Sequence, residues 1–223
     1  MSQKNQRNNS AFTLIELLIV IAVIAVLVAI VIPSLKAAYA DSLSAKCASN
    51  MGQLGKACLL YSQDNEGCLP KSSCDDPNNC WTNSLQPYAN GTVVFRCPAD
   101  AVTGRRRTYV INDYLTSMPC DAVTGVMNQA HLVCVEKPSQ TVFIMELSNS
   151  YGTNTPPDHL HLAQYYGGEI PLSEFKSEVG VERHFGKANY LFADAHVESI
   201  SWKDAQTMIN ANGSRFINPL PTE

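Results

Sequence analysis

The sequence is poor in charge and lacks the short signatures that mark common enzymes. Asp, Glu, Lys and Arg make up only 16% of the 223 residues, and the formal net charge is −4. A nucleic-acid binder would carry an excess of Lys and Arg, so this balance argues against one. There is no Gly-x-Ser-x-Gly elbow, no P-loop and no His-Glu-x-x-His. The serine-hydrolase, NTPase and zinc-protease readings therefore have nothing to stand on. No Cys-x-x-Cys pair occurs either, so a zinc ribbon is not expected. The first eleven residues contain no acid, although they carry Lys4 and Arg7.

What is present is more telling. Residues 12–32 form an apolar run whose one charge is Glu16. As a helix at ~1.5 Å per residue, the run spans about 30 Å, the thickness of a bilayer core. Lys4 and Arg7 would hold the amino terminus on the cytoplasmic side. A secretory signal peptide has a shorter apolar run with no charge at its start. A plain anchor explains everything except Glu16. A carboxylate in a lipid-facing helix costs roughly 2.5–3.5 kcal/mol, so it marks a functional position that needs a partner.

Eight cysteines suit an oxidising compartment, although their pairing does not follow from spacing. Cys74 and Cys80 are placed to close a local loop, and Cys120 and Cys134 to staple a hairpin. Cys47 and Cys58 lie eleven residues apart, on one face of a helix, and would pair with loop cysteines. Cys68 and Cys97 complete the candidates.

The segment Phe12-Thr13-Leu14-Ile15-Glu16-Leu17-Leu18, after a short basic leader and with Pro33 closing the apolar stretch, resembles the type IV pilin and general-secretion pseudopilin superfamily. The resemblance implies cleavage by a prepilin peptidase between Ala11 and Phe12 and methylation of the new Phe12 terminus. Ala11 stands where the family usually has Gly. Glu16 becomes the fifth residue of the mature chain, placed to attract the ammonium of a neighbouring subunit's Phe12. Pro33 is the second position the resemblance connects with assembly. The implied partners are other pilin-like subunits in a homo- or hetero-oligomer, the peptidase and an inner-membrane assembly platform.

The implied fold is α+β. A long N-terminal transmembrane and amphipathic helix would pack on an antiparallel sheet. The expected divisions are a leader at 1–11, a membrane and polymerisation helix at 12–33, its amphipathic continuation at 34–66 and a disulfide-rich domain at 67–223. Pro33 should kink the helix. Leu35, Tyr39, Leu43, Cys47, Leu54, Cys58 and Tyr61 recur at helical steps and predict one apolar face. Asn65-Glu66-Gly67 predicts the stop. Residues 67–90 read as an irregular loop. Strand-like runs follow at 92–96, 107–111, 131–136 and 141–147, then a hairpin at 189–193 and 196–200. Ser201 and Asp204 predict an N-cap for a final helix at 202–210. Asp-Ala-Val-Thr-Gly occurs at 100–104 and again at 121–125, which predicts two similar turns.

His184 and Asp194 are separated by nine residues, with His196 close behind. This segment resembles the C-terminal His-x9-Asp-Gly signature of a pilin-like subfamily, with Ala195 in place of Gly. The three residues suggest either a divalent-metal site, which His159, His161 and Asp158 could join, or a structural lock in which His184 bonds Asp194. Asp75, Asp76, Asn78 and Asn79 form the densest oxygen cluster and the candidate calcium site. Arg105, Arg106 and Arg107 read as a solvated loop or an inter-subunit ion pair. The leading expectation is a structural filament subunit without catalysis or a required cofactor. Its alternatives are a membrane-tethered binding module and a metal-dependent enzyme using His184, Asp194 and His196.

Overall fold

The computed structural model describes residues 13–72, 80–116, 132, 135–153, 157–162, 165, 171–211 and 214–218. Ala11, Phe12, Cys74, Cys120, Cys134, the oxygen cluster at 75–79 and the second pentapeptide copy lie outside them. The chain divides into two compact units, 1–39 and 40–223.

Helix α1 (Leu14–Asp64) begins in the first unit and ends in the second. Pro33 lies inside it without ending it. Proline has no N–H to offer the carbonyl one turn back, so that turn lacks one rung of the ladder. The helix stops as the sequence indicates. Gly67 takes φ +82° and its N–H reaches the Ser62 carbonyl at 2.7 Å, closing the last turn through a conformation that costs glycine little.

In the first unit, every large apolar side chain from Leu14 to Ile32 is exposed. So are Leu35 and Tyr39. The buried stripe of α1 therefore starts later than the periodicity suggests. It comprises Cys47, Asn50, Met51, Leu54, Gly55, Ala57, Cys58 and Ser62, all in the second unit.

The second unit is built on one five-stranded sheet of β1 (Tyr109–Asn112), β2 (Val142–Glu146), β3 (His159–Leu160), β4 (Lys187–Phe192) and β5 (Val197–Ser201), ordered β3-β1-β2-β4-β5. The sheet is mixed, which corrects the expected antiparallel arrangement: β3 runs parallel to β1, with Ile111 opposite His159. A two-residue edge strand carries no pattern of its own. It is held from outside, by Trp81 Nε1 donating to the Asp158 carbonyl at 2.8 Å and by Ile111 N donating to the same carbonyl at 3.1 Å.

Both faces of the sheet are covered. Alternate residues point opposite ways along a strand, and the core divides accordingly. Tyr109, Ile111 and Leu191 join Met51, Leu54 and Cys58 of α1, with Trp81 and Phe95. Val110, Ala188, Tyr190 and Phe192 join Phe175, Ala205, Ile209 and Phe216 on the other side. Those come in part from α3 (Leu172–Glu178) and α4 (Trp202–Asn210). Ser201 Oγ accepts from Asp204 N at 3.2 Å, the cap that the sequence predicts for α4.

Two further elements depart from the sequence reading. The run at 92–96 is a 3-10 turn, Val93–Phe95, because Val94 and Phe95 are needed as plugs for the core and not as rungs of a ladder. The expected loop at 67–90 contains a short helix α2 (Trp81–Leu85), whose Trp81 and Leu85 are fully buried. Residues 132, 135 and 136, the described part of the 131–136 run, are not in a strand.

Candidate functional site

The amino-terminal site is a charged residue on an apolar helix. Glu16 Oε2 accepts from the Thr13 N–H at 2.8 Å and from Thr13 Oγ1 at 2.7 Å, while Thr13 Oγ1 accepts from Glu16 N at 3.3 Å. This is a reciprocal capping box, with Thr13 as cap and Glu16 on the third helical residue. A carboxylate in the first turn also faces the positive end of the helix dipole. Glu16 thus has partners within its own chain, which the sequence reading did not anticipate. The signal was available: Thr-x-x-Glu directly before an apolar run is the capping-box pattern.

The second concentration of chemistry lies deep in the folded unit. Four donor atoms, one each from Cys47, Cys97, Glu146 and His184, lie within 4.8 Å of one another, and all four residues are buried. Cys47 Sγ donates to Glu146 Oε1 at 2.9 Å. His184 Nε2 meets the same oxygen at 2.9 Å and Cys97 Sγ at 3.6 Å. Tyr109 Oη lies 3.2 Å from Cys47 Sγ, and the other Glu146 oxygen accepts from the Asn189 N–H at 3.2 Å. Arg183 approaches Glu146 at 3.9 Å and Asp100 at 3.6 Å, and Arg105 pairs with Asp100 at 3.5 Å.

Glu146 ends the central strand β2 and is 0% exposed. Burial alone would raise its pKa, but the His184 hydrogen bond and the Arg183 charge outweigh burial and hold it below the usual carboxylate range. Burial likewise works against a charged His184, yet its hydrogen bonds to Cys97 and Glu146 push it up to about 9. The hydrogen bond from Cys47 brings the Cys97 thiol down to about 7, against the effect of burial. Burial, with Cys97 and Glu146 beside it, drives Cys47 strongly upward.

The expected grouping of His184, Asp194 and His196 does not form. Asp194 Oδ1 is 2.5 Å from His196 Nδ1 and accepts from the His196 N–H at 3.1 Å, at an exposed turn. A short side chain that closes its own turn is drawn away from a distant partner. His184 instead faces Glu146, a residue that the sequence reading left inside an ordinary strand. The turn itself carries Ala195 at φ +72°, the left-handed conformation that the usual Gly would adopt freely.

His159 and Asp158 belong to a separate network. Ser72 Oγ donates to Asp158 Oδ2 at 2.5 Å and lies 3.2 Å from His159 Nδ1, which is 2.8 Å from Asp158 Oδ1. This is not a nucleophile–base–acid relay. Serine and carboxylate meet the same ring nitrogen, and the hydroxyl donates to the acid, whereas a relay needs the two opposite nitrogens. His161 lies 3.5 Å from Asp113.

Arg105 corrects the solvated-loop expectation. It is 1% exposed and donates to the carbonyls of Ser148, at 2.9 Å, and of Tyr151. Arg107 Nη1 donates to Cys80 Sγ at 3.3 Å. Cys47, Cys58, Cys80 and Cys97 are free thiols in this structure.

Residues 6–32 match the family model of the prokaryotic N-terminal methylation motif. The chain therefore carries the prepilin-type signal of pilins and pseudopilins, on an α+β fold that begins with a long apolar helix. No curated protein and no solved structure matches the chain. The match ends before the C-terminal segment, so the likeness around His184 and Asp194 rests on those residues alone.

Proposed function

We infer that this chain is a structural subunit of a filament of the type II secretion or type IV pilus kind, and not an enzyme. The observation that carries the reading is Glu16. It is the single charge in the exposed apolar stretch 14–32 of α1, and it lies inside the matched methylation motif. α1 is the one helix among the described residues that is long and apolar enough to cross a membrane. Before assembly it would anchor the chain in the inner membrane, with the amino terminus in the cytoplasm and residues 40–223 on the far side. In the filament the same apolar surface would face its copies. Lipid and a helical bundle are similar surroundings for Leu, Ile and Val, so one segment serves in both.

The capping box refines the role of Glu16. Cleavage before Phe12 creates an ammonium within reach of the same helix end. Thr13 satisfies Glu16 while the subunit waits in the membrane, and in the filament the Phe12 ammonium of a neighbouring subunit becomes the stronger partner. Parallel copies joined by this head-to-side contact make a heterologous interface, which generates an open helical filament.

Two measurements test the reading. Mass spectrometry of the mature chain should find it starting at N-methylated Phe12; an intact Met1 would remove the processing step. Glu16→Gln should abolish incorporation into filaments seen by electron microscopy while leaving membrane insertion intact. Undiminished filaments from that variant would reduce the chain to a tethered module.

A further inference from the structure

We propose that Cys47, Cys97, Glu146 and His184 form a closed, four-coordinate zinc site that ties helix α1 to the sheet. The proposal stands apart from the filament reading and would survive its failure.

The geometry comes first. Zinc bonds of about 2.0–2.3 Å to N, O and S give a tetrahedron with edges of about 3.3–3.8 Å. The observed separations of 2.9, 2.9 and 3.6 Å fall at or slightly below such edges, and all four atoms converge within 4.8 Å. The short edges must open by up to about half an ångström, and the widest pair, at up to 4.8 Å, must close by about 1 Å, movements that side-chain rotation can supply. Two thiolates, an imidazole and a carboxylate make a donor set that suits zinc better than calcium or magnesium, which take oxygen.

Burial is the second argument. A carboxylate with 0% exposure, facing two thiols at the centre of a sheet, is a costly arrangement if its only task is to hold a histidine. The charges balance when the ion is present. Zinc displaces the two thiol protons and any proton on His184 Nε2, leaving two thiolates, one carboxylate and a neutral imidazole. Those ligands carry three negative charges, the zinc ion reduces the total to one, and Arg183, 3.9 Å from Glu146, neutralises that one. Asp100 and Arg105 cancel each other at 3.5 Å.

The surroundings supply the third argument. Tyr109 Oη is placed to donate to the Cys47 sulfur, and the Asn189 N–H fixes the second Glu146 oxygen. Outer groups of this kind orient metal ligands. The four ligands come from α1, from the segment after the 3-10 turn, from β2 and from the turn before β4. With four protein ligands and no open position, the site is structural. It would also shield Cys47 and Cys97 from oxidation to a disulfide, the rival product of two neighbouring thiols in an oxidising compartment.

The test uses the full-length chain, extracted in detergent without chelator. Elemental analysis should find one zinc per chain, and X-ray absorption at the zinc edge should find two sulfur and two nitrogen or oxygen neighbours. Exchange into cobalt(II) should give thiolate-to-cobalt charge-transfer bands. His184→Ala should weaken zinc binding by at least ~100-fold, beyond the range of an outer-shell change, while His184→Cys should restore it. Cys58→Ser and Cys68→Ser should keep the ion. A folded chain without metal that fails to bind added zinc chloride would overturn the proposal. So would a zinc shell without sulfur, or peptide mapping that joins Cys47 to Cys97. If His184→Ala does not fold, the absorption spectrum of the unaltered chain still decides.

Discussion

The two units treat a carboxylate in opposite ways. In residues 1–39, Glu16 is exposed, on a helical stretch, 14–32, whose other side chains are apolar, and its partners are the backbone and hydroxyl of a residue three positions away. In residues 40–223, Glu146 is wholly buried, and its partners come from 38 and 99 positions away. A local cap costs little to exchange, which under the filament proposal leaves Glu16 able to take a new partner when subunits meet. A buried carboxylate held by distant groups cannot move without opening the core. On the filament reading proposed above, the first charge serves assembly; the second serves the fold.

Exchanging each acid for its amide should separate these roles most strongly. Glu16→Gln should leave the unfolding midpoint of the second unit unchanged. Glu146→Gln strands Arg183 and His184 without their anion, and breaking a buried pair costs about 3–5 kcal/mol. Chemical denaturation followed by circular dichroism should show that loss; an unchanged midpoint would mean that Glu146 is dispensable to the fold.

Gly55 tests how closely α1 meets the hairpin. A Cβ there would lie 2.9 Å from both Ala195 Cβ and Leu191 Cδ1. Gly55→Ala should destabilise by about 1–3 kcal/mol, the usual cost of overpacking, despite alanine's better helix propensity. Thermal unfolding would show whether the hairpin gives way instead.

A smaller effect should appear with pH at Asp158. Burial tends to raise its pKa, but the hydrogen bonds to His159 and Ser72 win and lower it. The unfolded chain then binds this proton more readily than the folded one. Asp158 therefore contributes stability above the ordinary carboxylate pKa of about 3.9, and that stability is lost as pH falls below it. Denaturation midpoints measured across this range should fall less steeply in Ser72→Ala than in the parent chain.

The smallest expected effect is a gain. Ala195→Gly relieves a left-handed alanine at φ +72° and should stabilise the hairpin by roughly 0.5–1 kcal/mol, as read from the melting temperature.

Local signals were legible wherever the partners are local. The stop at Gly67, the strands β4 and β5, and the Ser201 cap of α4 all follow from residues within a few positions of one another. Features with distant partners were not. Arg105 looked solvated beside two other arginines, yet it is buried by carbonyls 43 and 46 positions away. His184 looked like a partner for Asp194 because sequence distance was the only distance available. Glu146 gave no sign, since one acid at the end of an apolar strand usually points to water.

By itself, the sequence determined the apolar run, its single charge at Glu16, the methylation motif and the helical period that continues into the core. All of these are one-dimensional properties, set by bilayer thickness, helix pitch and a short motif. Only the tertiary structure decided that Cys47, Cys97, Glu146 and His184 meet. Four residues spread over 138 positions come together because α1 packs on a sheet that places β2 beside β4, some 40 positions further along the chain, and no local spacing encodes that meeting.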